Sequence, residues 1–213
     1  AAVFLTGRSA ADVEAAAAKI GRGARGLVAD AGAAPDLAAA VAAAREAHGR
    51  IDALVLNAGI SEPATIDETT DDHFDRHFAL NVRGAVTGLQ EALPAMPAGG
   101  AVVLVGSVAS SLGIGGRGAY SATKAALRSY ARTWTAELAP RGIRVNVVSP
   151  GPTDTAMMAA APADLRDRLV AEIPLGRMAR PEEVAAAACF LLGPDASYIA
   201  GVELFVDGGM GQV

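Results

Sequence analysis

The chain has 213 residues, 52% of them hydrophobic and 19% charged, with a formal net charge of −5. That length suits a single domain, 1–213, with one core, and the composition excludes disorder. The longest uninterrupted apolar run, Val184 to Leu192, is about half of the ~20 residues that cross a bilayer, and no Lys/Arg cluster marks a nucleic-acid or anionic membrane surface. A small molecule is the expected partner. The lone Cys189 cannot form an internal disulfide and is expected in a helix core. With no charged-then-apolar leader at the start of the sequence, the expected compartment is the cytoplasm.

In chain order, apolar runs predict strands at 2–6, 26–29, 51–56, 101–105, 143–148 and 202–206. Runs such as "ALVL" and "AVVLV" are continuous rather than alternating, as in strands covered on both faces. Between them, Ala-rich stretches predict helices at 10–20, 35–48, 71–92, 119–139, 155–170 and 181–192. Several begin after Ser, Asp or Pro, which cap a helix or preset its first turn. The alternation predicts an α/β fold, a doubly wound parallel sheet with helices on both faces. In such sheets ligands bind beyond the carboxyl ends of the strands. Three predicted strands end in polar or glycine residues there: Asn57-Ala58-Gly59, Gly106-Ser107 and Ser149-Pro150-Gly151.

Tyr120 and Lys124 are one helical turn apart, with ~6 Å of axial rise between them, so they share a helix face. An ammonium beside a phenol favours the phenolate and brings proton transfer toward operating pH. Ser107, at a strand end, could hydrogen-bond a carbonyl or alkoxide oxygen while Tyr120 gives or takes its proton. Asn81, mid-helix in "FALNVRGA", has apolar neighbours that make an unbonded amide costly. The set fits reduction of a ketone or oxidation of an alcohol.

With these residues in place, the chain resembles the short-chain dehydrogenase/reductase family. "LNAG", Asn81, "GSVAS", "YSATK", "RVNVVSPGPTDT" and "VDGG" match it in order and spacing over nearly the whole length. The resemblance implies a tetrad of Asn81, Ser107, Tyr120 and Lys124. Tyr120 would be the acid/base, Ser107 would orient the substrate oxygen and Asn81 would hold a relay water. Lys124 would bind the nicotinamide ribose and lower the tyrosine pKa. It further implies that Asn57, Ala58 and Gly59 border the cofactor, that Asp30 with Ala31 contacts the adenine, and that Pro150, Gly151, Thr153 and Thr155 hold the nicotinamide amide. A homo-oligomer, dimer or tetramer, is expected by the same resemblance, with Trp134 either in the core or at an oligomer contact. Where the family reads Asn-Asn-Ala-Gly, Leu56 replaces the first Asn, which puts a local turn contact in doubt.

The family's glycine-rich strand-turn-helix is not found. Gly113-x-Gly115-x-x-Gly118 lies between Ser107 and Tyr120, and the acid expected ~20 residues on is Glu137, inside a helix. Its glycines are read as letting the backbone pass closely over a substrate pocket. "GRGARG" at 21–26 follows a helix instead of a strand. Residues 2–6 resemble the family's second strand, so a strand-plus-helix unit of roughly 30 residues is expected upstream, with 2–6 and 51–56 left unpaired with each other. At the end of the first strand stand Gly7 and Arg8 where an NAD enzyme would place an acid. A guanidinium there suits a 2′-phosphate, so NADP(H) is expected, with NAD(H) as the alternative.

His73 and His77 stand at helical i, i+4 spacing near acids, but the Glu of a zinc-protease motif is missing. A solvated helix face and no metal are expected. His48 is read as a surface residue at a helix end. The segment from Pro152 to Pro181, with Met157, Met158 and Leu175, is read as a lid over an apolar-tolerant pocket. The competing function is a catalytically silent binding or regulatory protein on the same fold.

Overall fold

The computed structural model describes residues 1–159 and 162–212. Its strands are β1 (Phe4–Gly7), β2 (Arg25–Val28), β3 (Ala53–Leu56), β4 (Ala101–Val105), β5 (Arg144–Pro150) and β6 (Glu203–Val206). Every pairing among them is parallel. Parallel neighbours need crossovers. The chain supplies α1 (Ala10–Ile20), α2 (Ala34–His48), α3 (Asp71–Phe78), α4 (Gly84–Ala92), α5 (Gly118–Leu138), α6 (Ala156–Ala159), α7 (Ala163–Ala171) and α8 (Pro181–Leu192). This is the α/β, Rossmann-like architecture that the alternation predicts. No helix among the described residues is long and apolar enough to cross a membrane.

The strands form two sheets, β1–β2 and β3–β4–β5–β6, and β1 is not hydrogen-bonded to β3. Coverage differs along the layer. Val102, Val103 and Leu104 of β4 and Val145, Val147 and Val148 of β5 are buried, so these are the two-faced core strands. The apolar run "ALVL" of β3 is not: Val55 is exposed, as is Val28 of β2, contrary to the reading of a fully covered sheet. One face of the larger sheet packs on Ala85, Leu89 and Ala92 of α4 and on Leu127, Ala131, Trp134 and Leu138 of α5. The 3–4 spacing of the α5 residues forms one apolar stripe. Trp134 therefore belongs to the core of this chain. Leu191 of α8 covers Val103 and Val148 on the other face. Burying each such side chain contributes about 1.5–3 kcal/mol.

Helix starts follow the local chemistry. Ser9 and Thr70 accept backbone N–H groups of Asp12 (3.3 Å) and His73 (3.1 Å). Pro181 opens α8 with its fixed φ, while the Glu183 carboxylate accepts the Arg180 N–H at 2.7 Å. Three expectations are corrected. The helix expected over 71–92 is interrupted by a π turn at Ala79–Arg83, and the one over 155–170 is two helices, α6 and α7. Cys189 is exposed, because α8 buries one stripe and Cys189 lies off it. His48 does end α2 and is exposed.

Candidate active site

The carboxyl end of β4 and the first turns of α5 carry the expected chemistry. Ser107 follows β4 by two residues, is buried, and has extended backbone. Its Oγ accepts the N–H of Ala109 at 3.2 Å, which fixes a lone pair and leaves the hydroxyl hydrogen to donate elsewhere. Lys124 reaches back from α5, and its Nζ donates to the carbonyl of Val105, the last residue of β4, at 2.7 Å. The side chain is 4% exposed, and desolvation lowers its pKa from 10.5 to about 8. Nζ lies 5.7 Å from the centroid of the Tyr120 ring, on the same helix face. A cation without a carboxylate partner among the described residues thus sits beside a phenol and is tied to the end of the strand that leads to Ser107.

Asn81 is fully buried in the π turn, where the extra residue breaks the regular ladder. Its Oδ1 accepts the Ile60 N–H (2.8 Å), and its Nδ2 donates to the Ile60 carbonyl (2.9 Å) and to Thr123 Oγ1 (3.0 Å). Thr123 in turn donates to the Tyr120 carbonyl at 2.6 Å. The amide therefore ties the loop after β3 to the backbone of Tyr120. Gly59 in that loop packs closely on the pair: a Cβ would lie 3.1 Å from Asn81 Oδ1, a tight contact, and 3.5 Å from Lys124 Nζ. The same loop is held further on. Arg117 Nη1 donates to the Ser61 carbonyl and hydroxyl, both at 3.0 Å, and the Ala64 N–H reaches the Gly116 carbonyl at 3.0 Å.

His73 and His77 belong to this clamp and not to a solvated face. His77 is 0% exposed: its Nδ1–H donates to the His73 carbonyl (2.7 Å), and Nε2 accepts the Glu62 N–H (3.1 Å). His73, also buried, donates from Nε2 to the Glu62 carbonyl at 3.1 Å, and its Nδ1 has no partner among the described residues. Glu62, His73 and His77 come within metal-ligating distance of one another. The ring nitrogens that face Glu62 already serve its backbone, and the Glu62 carboxylate pairs with Arg76 at 2.9 Å. Polar residues at i, i+4 spacing look solvated in sequence, but a loop folded over them supplies the missing partners.

The other expected residues fall at the neighbouring strand ends. Arg8 is exposed just after β1 and makes no ion pair among the described residues. Asp30 is exposed after β2, where its Oδ1 accepts the Gly32 N–H at 2.8 Å. The Ala31 carbonyl lies where a Cβ on Gly84 would be, 2.5 Å from that position, so this loop packs directly on the start of α4. Leu56 packs into the core, and a Cβ on Gly88 would come within 2.8 Å of it, which gives the departure from Asn-Asn-Ala-Gly a packing role. Pro150 ends β5, and Gly151 presses on Asp207, with a Cβ position only 2.8 Å from the Asp207 Cα. Buried Asp207 accepts the N–H groups of Gly209 (2.9 Å) and Gly211 (2.8 Å), which explains "VDGG" as a folded turn. Thr153 donates to the Gly151 carbonyl at 3.0 Å, and Thr155 Oγ1 accepts the Met158 N–H at 3.4 Å.

A Cβ on Gly113, Gly115 or Gly118 would meet no described protein atom within 4 Å, and Gly116, at φ +70°, holds a conformation that favours glycine. In the segment 152–181 the side chain of Met157 lies outside the described residues, and Leu175 is exposed. The cavity there, about 490 Å³, is lined by Asp154, Arg166, Val170, Arg177, Met178 and Arg180 among others, a mixed wall of apolar and charged side chains that does not include Ser107 or Tyr120.

A buried alcohol and a buried amine, with a half-buried phenol on the same helix as the amine, lie at the carboxyl end of β4 in a Rossmann-like sheet, the edge where such folds bind nucleotides. The family model described as enoyl-(acyl carrier protein) reductase matches residues 1–211. The chain belongs to the short-chain dehydrogenase/reductase family, and its relatives include dehydrogenases and reductases that act on CH–OH or C=O groups. It is 40% identical to an inactive 2-(S)-hydroxypropyl-CoM dehydrogenase 2 of Xanthobacter autotrophicus, over 98% of this chain and 94% of that protein. With the 2-(R)-hydroxypropyl-CoM dehydrogenase of the same organism it shares 39% identity, over 86% of this chain and 75% of the other. A solved structure of a blue fluorescent protein from a metagenomic library, in complex with NADPH, superposes with a TM-score of 0.91 at 35% identity, covering 99% of this chain and 87% of that one.

Proposed function

We propose that the protein is an NADP(H)-dependent oxidoreductase that interconverts a ketone and a secondary alcohol, with Tyr120 as general acid/base. The observation that carries the reading is the buried Lys124 ammonium, desolvated beside the Tyr120 ring and anchored to the tip of the strand that delivers Ser107. Burying a cation without a carboxylate is costly, and a role at a reacting centre accounts for that cost. The residues present fit a nicotinamide nucleotide. The Lys124 ammonium has three donors of which Val105 takes one, and the glycine at 59 brings the loop after β3 close to it, a Cβ position there lying 3.5 Å from Nζ. Lys124 would meet the nicotinamide ribose, Asn57 to Gly59 would border it, Asp30 and Ala31 would flank the adenine, and Pro150, Gly151, Thr153 and Thr155 would hold the amide. Arg8 would pair with a 2′-phosphate, and the relative with NADPH bound is in keeping with that preference.

NADP(H), when bound, supplies the hydride at C4 of its nicotinamide. In the reductive direction Ser107 donates its free hydroxyl hydrogen to the substrate carbonyl oxygen, and Tyr120 gives its phenolic proton to that oxygen as the carbinol forms. The Lys124 charge stabilises the phenolate left behind. Asn81 holds Ile60 and, through Thr123, the Tyr120 backbone, so its side chain acts by positioning. The protein would work as a homo-oligomer in the cytoplasm. A silent protein on this fold is the second reading, favoured by the relative named inactive. Following NADPH oxidation with a panel of ketones, for the purified protein and Tyr120→Phe, separates them: turnover that the variant loses supports the enzyme, and equal rates remove the proposed chemistry.

A further inference from the structure

One buried carboxylate outside the proposed tetrad is tied to it from three sides. Glu203, the first residue of β6, has a side chain 3% exposed. Its Oε1 accepts the hydroxyls of Ser149 at 2.7 Å and Ser110 at 3.0 Å. Arg128 Nε, on α5, stands 2.8 Å from its Oε2. A carboxylate withdrawn from water needs such partners: Oε1 has two hydroxyl donors, whereas Oε2 has the Arg128 charge beside it but no hydrogen bond among the described residues. The partners it selects bracket Ser107. Ser149 Oγ lies 2.3 Å from where a Cβ on Gly106 would be, so the peptide before Ser107 packs directly on that hydroxyl. Ser110 closes the turn that Ser107 opens: its N–H donates to the Ser107 carbonyl at 2.9 Å, while Ala109 N–H reaches Ser107 Oγ at 3.2 Å. Arg128 is one helical turn beyond Lys124, so its ion pair links the helix that carries Tyr120 and Lys124 to the first residue of β6.

We propose that Glu203 is a positioning residue for catalysis: through Ser149, Ser110 and Arg128 it fixes Ser107 on both sides and sets it against the Tyr120–Lys124 helix. The inference rests on the reading above that Ser107 binds the substrate oxygen. Its prediction is a loss in turnover with cofactor binding intact, because none of the three partners is among the residues assigned to the nucleotide. Loss of placement by an ångström is enough to lower a rate ~10²-fold.

The test compares Glu203→Ala, Glu203→Gln and Ser110→Ala with the wild type and with Tyr120→Phe, measuring kcat for ketone reduction, NADPH affinity by fluorescence titration, and Tm. Glu203→Ala is expected to lower kcat by about 10–100-fold with the NADPH Kd within about twofold. Glu203→Gln keeps an acceptor oxygen for the serines and is expected to recover most of the loss. Ser110→Ala should lower kcat several-fold in the wild type and add nothing in the Glu203→Ala background, since coupled contacts are not additive. If Glu203→Ala does not fold, Ser110→Ala decides: a lower kcat at unchanged NADPH affinity supports the role, and an unchanged kcat overturns it. A Glu203→Ala protein with lowered Tm but wild-type kcat, or with kcat and NADPH affinity falling together, also overturns it. Tyr120→Phe distinguishes the two levels. If Tyr120→Phe is inactive while Glu203→Ala is fully active, only the positioning role is lost. If Tyr120→Phe is as active as the wild type, the functional reading goes and the positioning role with it.

Discussion

Replacing Lys124 by methionine separates what this side chain costs the fold from what it contributes to chemistry. Burial lowers its pKa from 10.5 to about 8, a gap of about 2.5 pH units, which at 1.36 kcal/mol per unit is an unfavourable contribution of roughly 3 kcal/mol when the amine is charged. The hydrogen bond to the Val105 carbonyl returns about 1.5–3 kcal/mol of that. Near pH 7, Lys124→Met should therefore fold with stability equal to the wild type or up to about 2 kcal/mol greater, while turnover is lost. The sign with pH follows from proton counts. Between pH 8 and 10.5 the unfolded chain holds the lysine proton and the folded chain has released it, so the wild type gains stability relative to the variant as pH rises through that window. The difference between the two proteins should move by about 2 kcal/mol from pH 7 to about pH 9.5 in urea unfolding. Parallel stability profiles for the two proteins, or a variant destabilised by more than about 1 kcal/mol at pH 7, would refute the picture of a desolvated ammonium.

Other substitutions probe the clamp and the cofactor reading. Asn81→Leu leaves the Ile60 N–H and carbonyl without their partner and should cost about 2–4 kcal/mol in urea unfolding; a loss under about 1 kcal/mol contradicts the clamp. His77→Leu strands the Glu62 N–H and the His73 carbonyl, with an expected cost of about 1–3 kcal/mol, whereas a solvated histidine would give no change in Tm. Arg8→Ala should weaken NADPH binding by about 10–100-fold and leave NADH binding unaltered, as loss of a charged hydrogen bond to a 2′-phosphate requires. Equal weakening of both nucleotides would remove that assignment.

The parts legible in sequence are those built from local pattern. All six strands and the long α5 came from runs and periodicity, and Ser107, Tyr120 and Lys124 stood out because strand ends and one helical turn bring them to the same edge. The parts that were not legible depend on contacts across the chain. Glu203 meets Ser110 and Ser149 at separations of 93 and 54 residues, and nothing in "VELFVDGG" marks its carboxylate as buried. Thr123 likewise gains meaning only when Asn81, 42 residues away, reaches it. His73 and His77 were misread for the same reason, since their partners lie on a loop whose path the helical spacing does not encode. The interrupted helix over 71–92 could have been suspected from the buried amide alone, because an asparagine among apolar residues implies a partner outside its own helix.

The central claim is that hydride moves between nicotinamide and a substrate carbon while Tyr120 moves the proton. The most direct measurement is a single-turnover reduction of a simple ketone with NADPH deuterated at both C4 positions, followed by mass analysis of the alcohol. One deuterium on the carbinol carbon from the wild-type protein, and none within the same time from Tyr120→Phe, is the predicted result. An alcohol without deuterium, or equal transfer by both proteins, would contradict it.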